Sequence, residues 1–124
     1  MERFGLFGCD EGSTALGIRA ARRNVVIMGI YDPDHHKALV SSLKLGCSAF
    51  PDPVELVNSV SILYCALPER PAWLSQLNPQ TVVLTSHAWA GALPLGVESE
   101  SETFLASSVE HRGRALEFLP SLGL

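Results

Sequence analysis

Four apolar stretches of strand length recur along the chain with helix-forming material between them: Arg3 to Phe7, Asn24 to Tyr31, Val60 to Ala66 and Thr81 to Ser86. Within each, the apolar residues run nearly unbroken instead of alternating with polar ones. An alternating strand has one wet face, whereas an unbroken one must be covered on both, which is the condition of parallel strands lying under helices. A weaker run, Cys47 to Phe50, adds a short edge strand. Strands and helices that alternate in units of about 20 to 30 residues call for right-handed crossovers within one sheet. The expected fold class is therefore α/β, in three layers: a parallel five-stranded sheet of order 3-2-1-4-5 with helices on both faces.

The segments between the runs carry their own punctuation. Ser13 to Arg23 predicts the first helix, with Leu16 and Ala20 stacked one turn apart and Arg19, Arg22 and Arg23 in water near the negative end of the helix dipole. "DPDHHKALVSSLKLG" predicts a second helix, with an aspartate cap, proline at its first position, Leu39 and Leu43 on one face and Gly46 as its stop. "DPVELVNS" repeats the device with Asp52 as cap, Pro53 first and Glu55 completing a variant of the capping box. Past Gly96 the chain opens with acids and then spaces Phe104, Leu105, Val109 and Leu116 in a roughly helical rhythm, which predicts a helix from about Ser101 to Arg112. Residues 1–96 thus read as the core, and 97–124 as a helical extension packed on that core or on a partner.

Composition bounds what such a domain can do. At 124 residues there is room for one shared core, but not for the second domain that a complete two-domain enzyme uses to hold its substrate. A formal net charge of -4 with few Lys and Arg argues against a nucleic-acid footprint or an anionic membrane surface, both of which need clustered positive charge. Cys9, Cys47 and Cys65 match no zinc spacing and sit in or beside apolar runs, so they read as small hydrophobes in a reducing, cytoplasmic compartment. No apolar run approaches the ~18 residues of a membrane span, and the opening "MERFGLFG" is broken by glycine too early for a signal peptide. With 47% hydrophobic residues, there is also material for an interface, and a homodimer or another protein partner is expected.

In a sheet of this order the ligand crevice lies outside the carboxyl ends of the first and fourth strands. The candidate residues are those just after each run: Gly8 to Ser13, Asp32, Ala66 to Arg70, and Ser86 to Trp89. A dinucleotide cradle there has the form G-x-G-x-x-G. Here the turn reads Gly8-Cys9-Asp10-Glu11-Gly12-Ser13, so Asp10 holds the second glycine place and Ser13 the third. A side chain at the second place obstructs close approach, and this one carries the charge of the ligand. Two like charges ~4 Å apart at an effective dielectric of ~20 repel by about 4 kcal/mol, or roughly three decades of affinity. Gly12 offers a way round, by letting the amides of Gly12, Ser13 and Thr14 point at an anion.

Three segments, "RFGLFGCDEGSTALGIRAARRNVVIMGIYDPD", "SVSILYCALPERP" and "TVVLTSHAW", resemble the NAD(P)-binding Rossmann domains of the 6-phosphogluconate dehydrogenase type. That group includes pyrroline-carboxylate reductases, coenzyme F420-dependent NADP reductases and the cytosolic domain of STEAP metalloreductases. "ESESETFLAS" is similar to the helix that follows the fifth strand in the STEAP-like branch, and the resemblance covers about residues 3 to 108. It implies a dinucleotide with its pyrophosphate over the first turn and its adenine ribose near the end of the second strand. The implied cofactor-binding residues are Gly8, Cys9, Asp10, Gly12, Ser13, Asp32, Ala66, Leu67 and Ser86. NAD is favoured over NADP, because Asp32, 24 residues after Gly8, stands where an acid accepts from a ribose 2′-OH and disfavours a 2′-phosphate. Followed by Pro33, Asp32 reads equally as a helix cap, as Asp52 does before Pro53.

His87 is the candidate acid or base at the reactive end. Arg70 either balances a phosphate or pairs with Glu69, and Trp73 and Trp89 form a pocket lip or a partner surface. His35 and His36 lack an acid or cysteine spaced to complete a metal site and read as a solvated helix start, so no metal is expected. Cys9 and Cys65 lie at neighbouring strand ends, where packing accounts for them better than a redox pair. Two functions stay open. One is a dinucleotide-binding domain related to oxidoreductases, needing a partner or second domain for any catalysis. The other is a non-catalytic assembly or regulatory module that keeps the fold without the cofactor.

Overall fold

The computed structural model describes residues 2–72, 74, 80–98 and 103–124. The expected apolar runs become strands β1 (Phe4–Phe7), β2 (Ile27–Tyr31), β3 (Ser48–Ala49), β4 (Ile62–Cys65) and β5 (Val82–Thr85). They pair in parallel in the order β3-β2-β1-β4-β5, with Phe4 opposite both Ile27 and Ile62. β1, β4 and β5 are buried at every position, as unbroken apolar runs require.

Side chains alternate between two cores. Phe4, Leu6, Ile62, Tyr64, Val82 and Leu84 face one layer, while Phe7, Leu63, Cys65 and Val83 face the other. The first layer is closed by α1 (Glu11–Arg22), through Leu16 and Ala20, and by α4 (Arg112–Phe118), whose Phe118 ring lies 5.2 Å from that of Phe4. Leu45 at the end of α2 (His35–Leu45) joins the same core. The second layer is closed by α3 (Pro53–Ser59), through Leu56 and Val57. Gly17 lets α1 approach closely, because a Cβ there would stand 2.7 Å from Leu45 Cδ1 and 2.9 Å from Leu6 Cδ1.

The sheet does not stop at five parallel strands. β6 (Leu93–Glu98) and β7 (Thr103–Ala106) extend it to seven, in the order β3-β2-β1-β4-β5-β7-β6, with β7 antiparallel to both of its neighbours. The helix expected over about Ser101 to Arg112 is thereby corrected: Thr103–Ala106 is a strand, and helix begins only at Arg112, after a 3-10 turn at Val109–His111. Burial explains the difference. Phe104 and Ala106 point inward while Thr103 faces water, a period of two, and Val109, assigned to the apolar stripe of that helix, is 72% exposed. The boundary expected between residues 96 and 97 falls inside β6. Within 97–124, Ala115, Phe118, Leu119 and Leu122 pack into the first core.

Two helix starts also differ from expectation. α1 begins at Glu11 with Asp10 as its cap, two residues before Ser13. α2 is capped by Asp34, whose carboxylate accepts from His36 N at 3.1 Å, so Pro33 precedes the cap instead of following it. α3 starts as expected, with Asp52 accepting from Val54 N at 3.0 Å and Pro53 in its first turn. The helix implied between the fourth and fifth strands falls largely on residues 73 and 75–79, outside the described residues, as does Trp73.

Candidate functional site

β1 ends in a turn at Gly8, whose φ of 92° is the left-handed backbone that glycine adopts without cost. A Cβ at Gly8 would stand 3.3 Å from that of Ala66, so the turn is pressed against the end of β4. The chain then enters α1, and its free amides are largely spoken for. Asp10 Oδ1 accepts from Ser13 N at 2.7 Å, while Ser13 Oγ accepts from Asp10 N at 3.1 Å, the reciprocal pair of a capping box. Ser13 is fully buried, and its hydroxyl also donates to Gly8 O at 2.7 Å. The residue in the third glycine place thus ties the turn together from inside. Gly8 N donates to Tyr31 O, and Cys9 N donates to Asp32 Oδ2 at 2.7 Å. Among the described residues, the amides of Glu11 and Gly12 have no protein acceptor. They sit in the first turn of a 12-residue helix, where the dipole favours an anion.

Asp32 is not the cap of α2. Its second oxygen, Oδ1, accepts from Asp34 N at 2.8 Å, so one carboxylate holds the turn after β1 to the turn after β2. Its expected reading as a helix cap is corrected to that of a bridge between two loops.

The other end of the crevice is built from the segments after β4 and β5. Ser86 Oγ lies 2.8 Å from Tyr64 Oη. His87 Nε2 donates to Ala66 O at 2.8 Å, and Trp89 Nε1 donates to Leu67 O at 3.1 Å. Trp89 is buried and joins the second core, so of the two expectations for it, a pocket lip or a partner surface, the partner surface is corrected. Arg70 donates to Ala90 O at 2.8 Å and to Ser107 O at 3.1 Å, and its guanidinium lies 5.2 Å from the Trp89 ring centroid. Among the described residues it makes no ion pair with Glu69; it fastens the loop after β5 across the end of β4.

Burial raises the thiols of all three cysteines above their ordinary value. Burial pushes the Cys9 thiol up to about 11, with the neighbouring Asp32 adding to the shift, and pushes Cys65 up to about 12. Cys9, Cys47 and Cys65 are all free thiols. Among the described residues no group of His, Cys, Asp and Glu could hold a metal, His35 and His36 included, and no helix is long and apolar enough to cross a membrane.

The structure thus brings Gly8, Cys9, Asp10, Gly12, Ser13 and Asp32 into one hydrogen-bonded turn, and Ala66, Leu67, Ser86 and His87 into a second cluster beside it. Sequence reasoning missed the open amide of Glu11 and the roles of Tyr64 and Arg70. An Asp followed three residues later by Ser at a helix start was the signal for the cap.

No family model matches the chain, and no curated protein matches it. Solved structures do. A candidate NADP oxidoreductase from Bacteroides fragilis superposes with a TM-score of 0.66 over 98% of this chain and 57% of its own, at 13% identity. The 3-hydroxyisobutyrate dehydrogenase of Mycobacterium tuberculosis, solved with L-serine, gives 0.59 over 72% of this chain and 32% of its own, at 17% identity. An imine reductase from a Pseudomonas species gives 0.55 over 71% and 33%, at 12% identity. The chain has a Rossmann-type α/β fold, shared with these solved structures. It spans 57% or less of each of these proteins.

Proposed function

We propose that this domain binds a nicotinamide dinucleotide, NAD in preference to NADP, through a phosphate turn narrowed by its own carboxylates. The observation that carries the reading is the pair of open amides, Glu11 and Gly12, at the start of a long helix directly after β1 and the Gly8 turn. These amides fit one end of a diphosphate. Gly8 lets the turn lie close, and Asp32 stands beside it with the charge that disfavours a 2′-phosphate. Ala66, Leu67 and Ser86 would line the remaining trough. When bound, the cofactor supplies hydride chemistry, for which the chain offers His87 with its proton held on Nε2 by Ala66 O. Catalysis would need a substrate-holding partner or domain.

A specific observation favours a second reading, a scaffold domain without a cofactor. The Asp10 carboxylate already fills the Ser13 amide, and the ring donors of His87 and Trp89 already fill the carbonyls after β4. One titration separates the two. NAD, NADH, NADP and NADPH are each added at millimolar concentration, with melting temperature and calorimetric heat as readouts. A ligand present at 100 times its Kd stabilises the fold by about 2.7 kcal/mol. Binding of NAD and NADH ahead of the phosphorylated pair supports the first reading. No shift with any of the four, for wild type and for Asp10→Asn alike, establishes the scaffold.

A further inference from the structure

The net charge of -4 conceals a segregated distribution. Of nine Lys and Arg residues, Arg19, Arg22, Arg23, Lys37 and Lys44 lie along α1 and α2 or just past their ends. They line two adjoining grooves of about 600 Å³ each that share Ala15 and Ile18. Arg19, Arg22, Lys37 and Lys44 have no ion-pair partner among the described residues, whose acid–base pair is Arg114 with Glu2. Beside these cations, α2 turns apolar side chains to solvent. Leu39 and Val40 are nearly half exposed and Leu43 is 86% exposed, while the core is served by Ala38, Ser41, Ser42 and Leu45. The expected stripe of Leu39 and Leu43 thus exists, but it faces outward. Val40 lines the groove together with Ile18 of α1, while Leu39 and Leu43 lie on the exposed face of α2 outside its lining. A single exposed leucine needs no explanation, but an apolar row at helical spacing, flanked by unpaired cations, does.

We propose that the exposed face of α2 and the groove beside it dock an acidic amphipathic helix from a protein partner, with leucine-like side chains against Leu39, Leu43, Val40 and Ile18 and carboxylates against Arg19, Arg22, Lys37 and Lys44. Charge complementarity selects the occupant. A second copy of the same face would set cation against cation. An anionic bilayer would meet Asp10 and Glu11 at the upper end of a concave groove, where a narrow peptide can lie clear of them. α2 has 11 residues, so about 16 Å of partner helix matches it. Cys9, Asp10 and Glu11 belong both to the upper end of the groove and to the proposed phosphate turn, whereas Leu43 belongs to neither, so Leu43→Ser tests this proposal without touching the dinucleotide reading.

The probe is a fluorescein-labelled peptide of about 14 residues with leucine at i, i+3, i+4 and i+7 and glutamate elsewhere; a lysine counterpart serves as control. Fluorescence anisotropy should give binding to the acidic peptide at least about tenfold tighter than to the basic one, weakening as salt rises. Leu43→Ser, at a position with almost no native contact, and Arg19→Glu with Lys44→Glu should each weaken it about tenfold, with circular dichroism and Tm unchanged. Should the charge-reversal protein fail to fold, Leu43→Ser alone decides. Equal binding of both peptides, or of neither, overturns the proposal. So do tighter binding to phosphatidylserine vesicles than to the peptide, and a dimer in sedimentation equilibrium that Leu43→Ser dissolves.

Discussion

The two ends of the crevice satisfy their backbones with opposite chemistry. At the turn after β1, backbone donors are held by charged acceptors: Asp10 on Ser13 N, and Asp32 on Cys9 N and Asp34 N. After β4, backbone acceptors are held by ring donors, His87 on Ala66 O and Trp89 on Leu67 O. Asp10 is exposed and Asp32 half-buried, whereas Trp89 is buried in the core. Charge at a wet helix start acts mainly on what approaches it; a buried ring acts mainly on whether the domain stands. On the proposed reading, the turn would govern anion affinity and the loop after β5 stability.

The hardest blow to this division falls on the loop. Trp89→Ala should cost about 3–5 kcal/mol, because it empties a packed site and leaves Leu67 O and the Arg70 guanidinium without the ring. Trp89→Phe keeps most of the packing and should lose about 1 kcal/mol for the missing Nε1 donor. Urea unfolding of both variants reads the two figures directly. A cost below about 1 kcal/mol for Trp89→Ala would mean that the loop can leave β4 freely, as a nicotinamide-binding loop must.

The turn should respond differently. Asp10→Ala removes the cap of α1 and should cost about 1 kcal/mol in the same assay, whereas Asp10→Asn keeps the acceptor and should be nearly neutral for stability. For affinity, the order changes. Because Asp10 is exposed, the unscreened repulsion of a diphosphate is much reduced, and Asp10→Asn should tighten NAD binding by about tenfold. Calorimetry with NAD at low and moderate salt checks the sign; no change in Kd would place the diphosphate away from this carboxylate.

The contrast also explains what the sequence could and could not disclose. The parallel part of the sheet was legible, since buried strands write themselves as unbroken apolar runs and Gly46 and Asp52 mark helix ends by local chemistry alone. β7 was not. Phe104 and Leu105 suit a helical rhythm with Val109 as well as they suit a strand, and only pairing with β5 and β6 decides which face is buried. At the site, the residues in the turn were found by position, but their partners were not. Asp32 to Cys9 and Arg70 to Ser107 are contacts across the fold, 23 and 37 residues apart, and no local pattern announces them. The cap at Asp10 was within reach, masked by counting glycines where an aspartate three residues before a serine was the stronger local signal.

The smallest effect expected near neutral pH belongs to the thiols that sit one at each end, Cys9 beside the turn and Cys65 at the end of β4. Both are raised by burial from the ordinary thiol value of 9.0, to about 11 and about 12. A thiol whose folded value lies above its unfolded one keeps its proton longer in the native state, so the native state binds more protons between the two values. Its stabilising share is fully present below pH 9 and is lost as pH rises from 9 through about 11 for Cys9 and about 12 for Cys65. Stability should therefore be flat in this respect from pH 6 to 8 and fall above 9. Iodoacetamide, which needs the thiolate, should label neither cysteine appreciably at pH 8 and should take Cys9 before Cys65 as pH climbs, since Cys65 is buried and Cys9 is not. Mass spectrometry of labelled peptides orders the two sites. Rapid labelling of Cys65 at pH 8 would show that the end of β4 opens readily, and the division between a wet, charge-held turn and a closed, ring-held loop would fail at its firmer half.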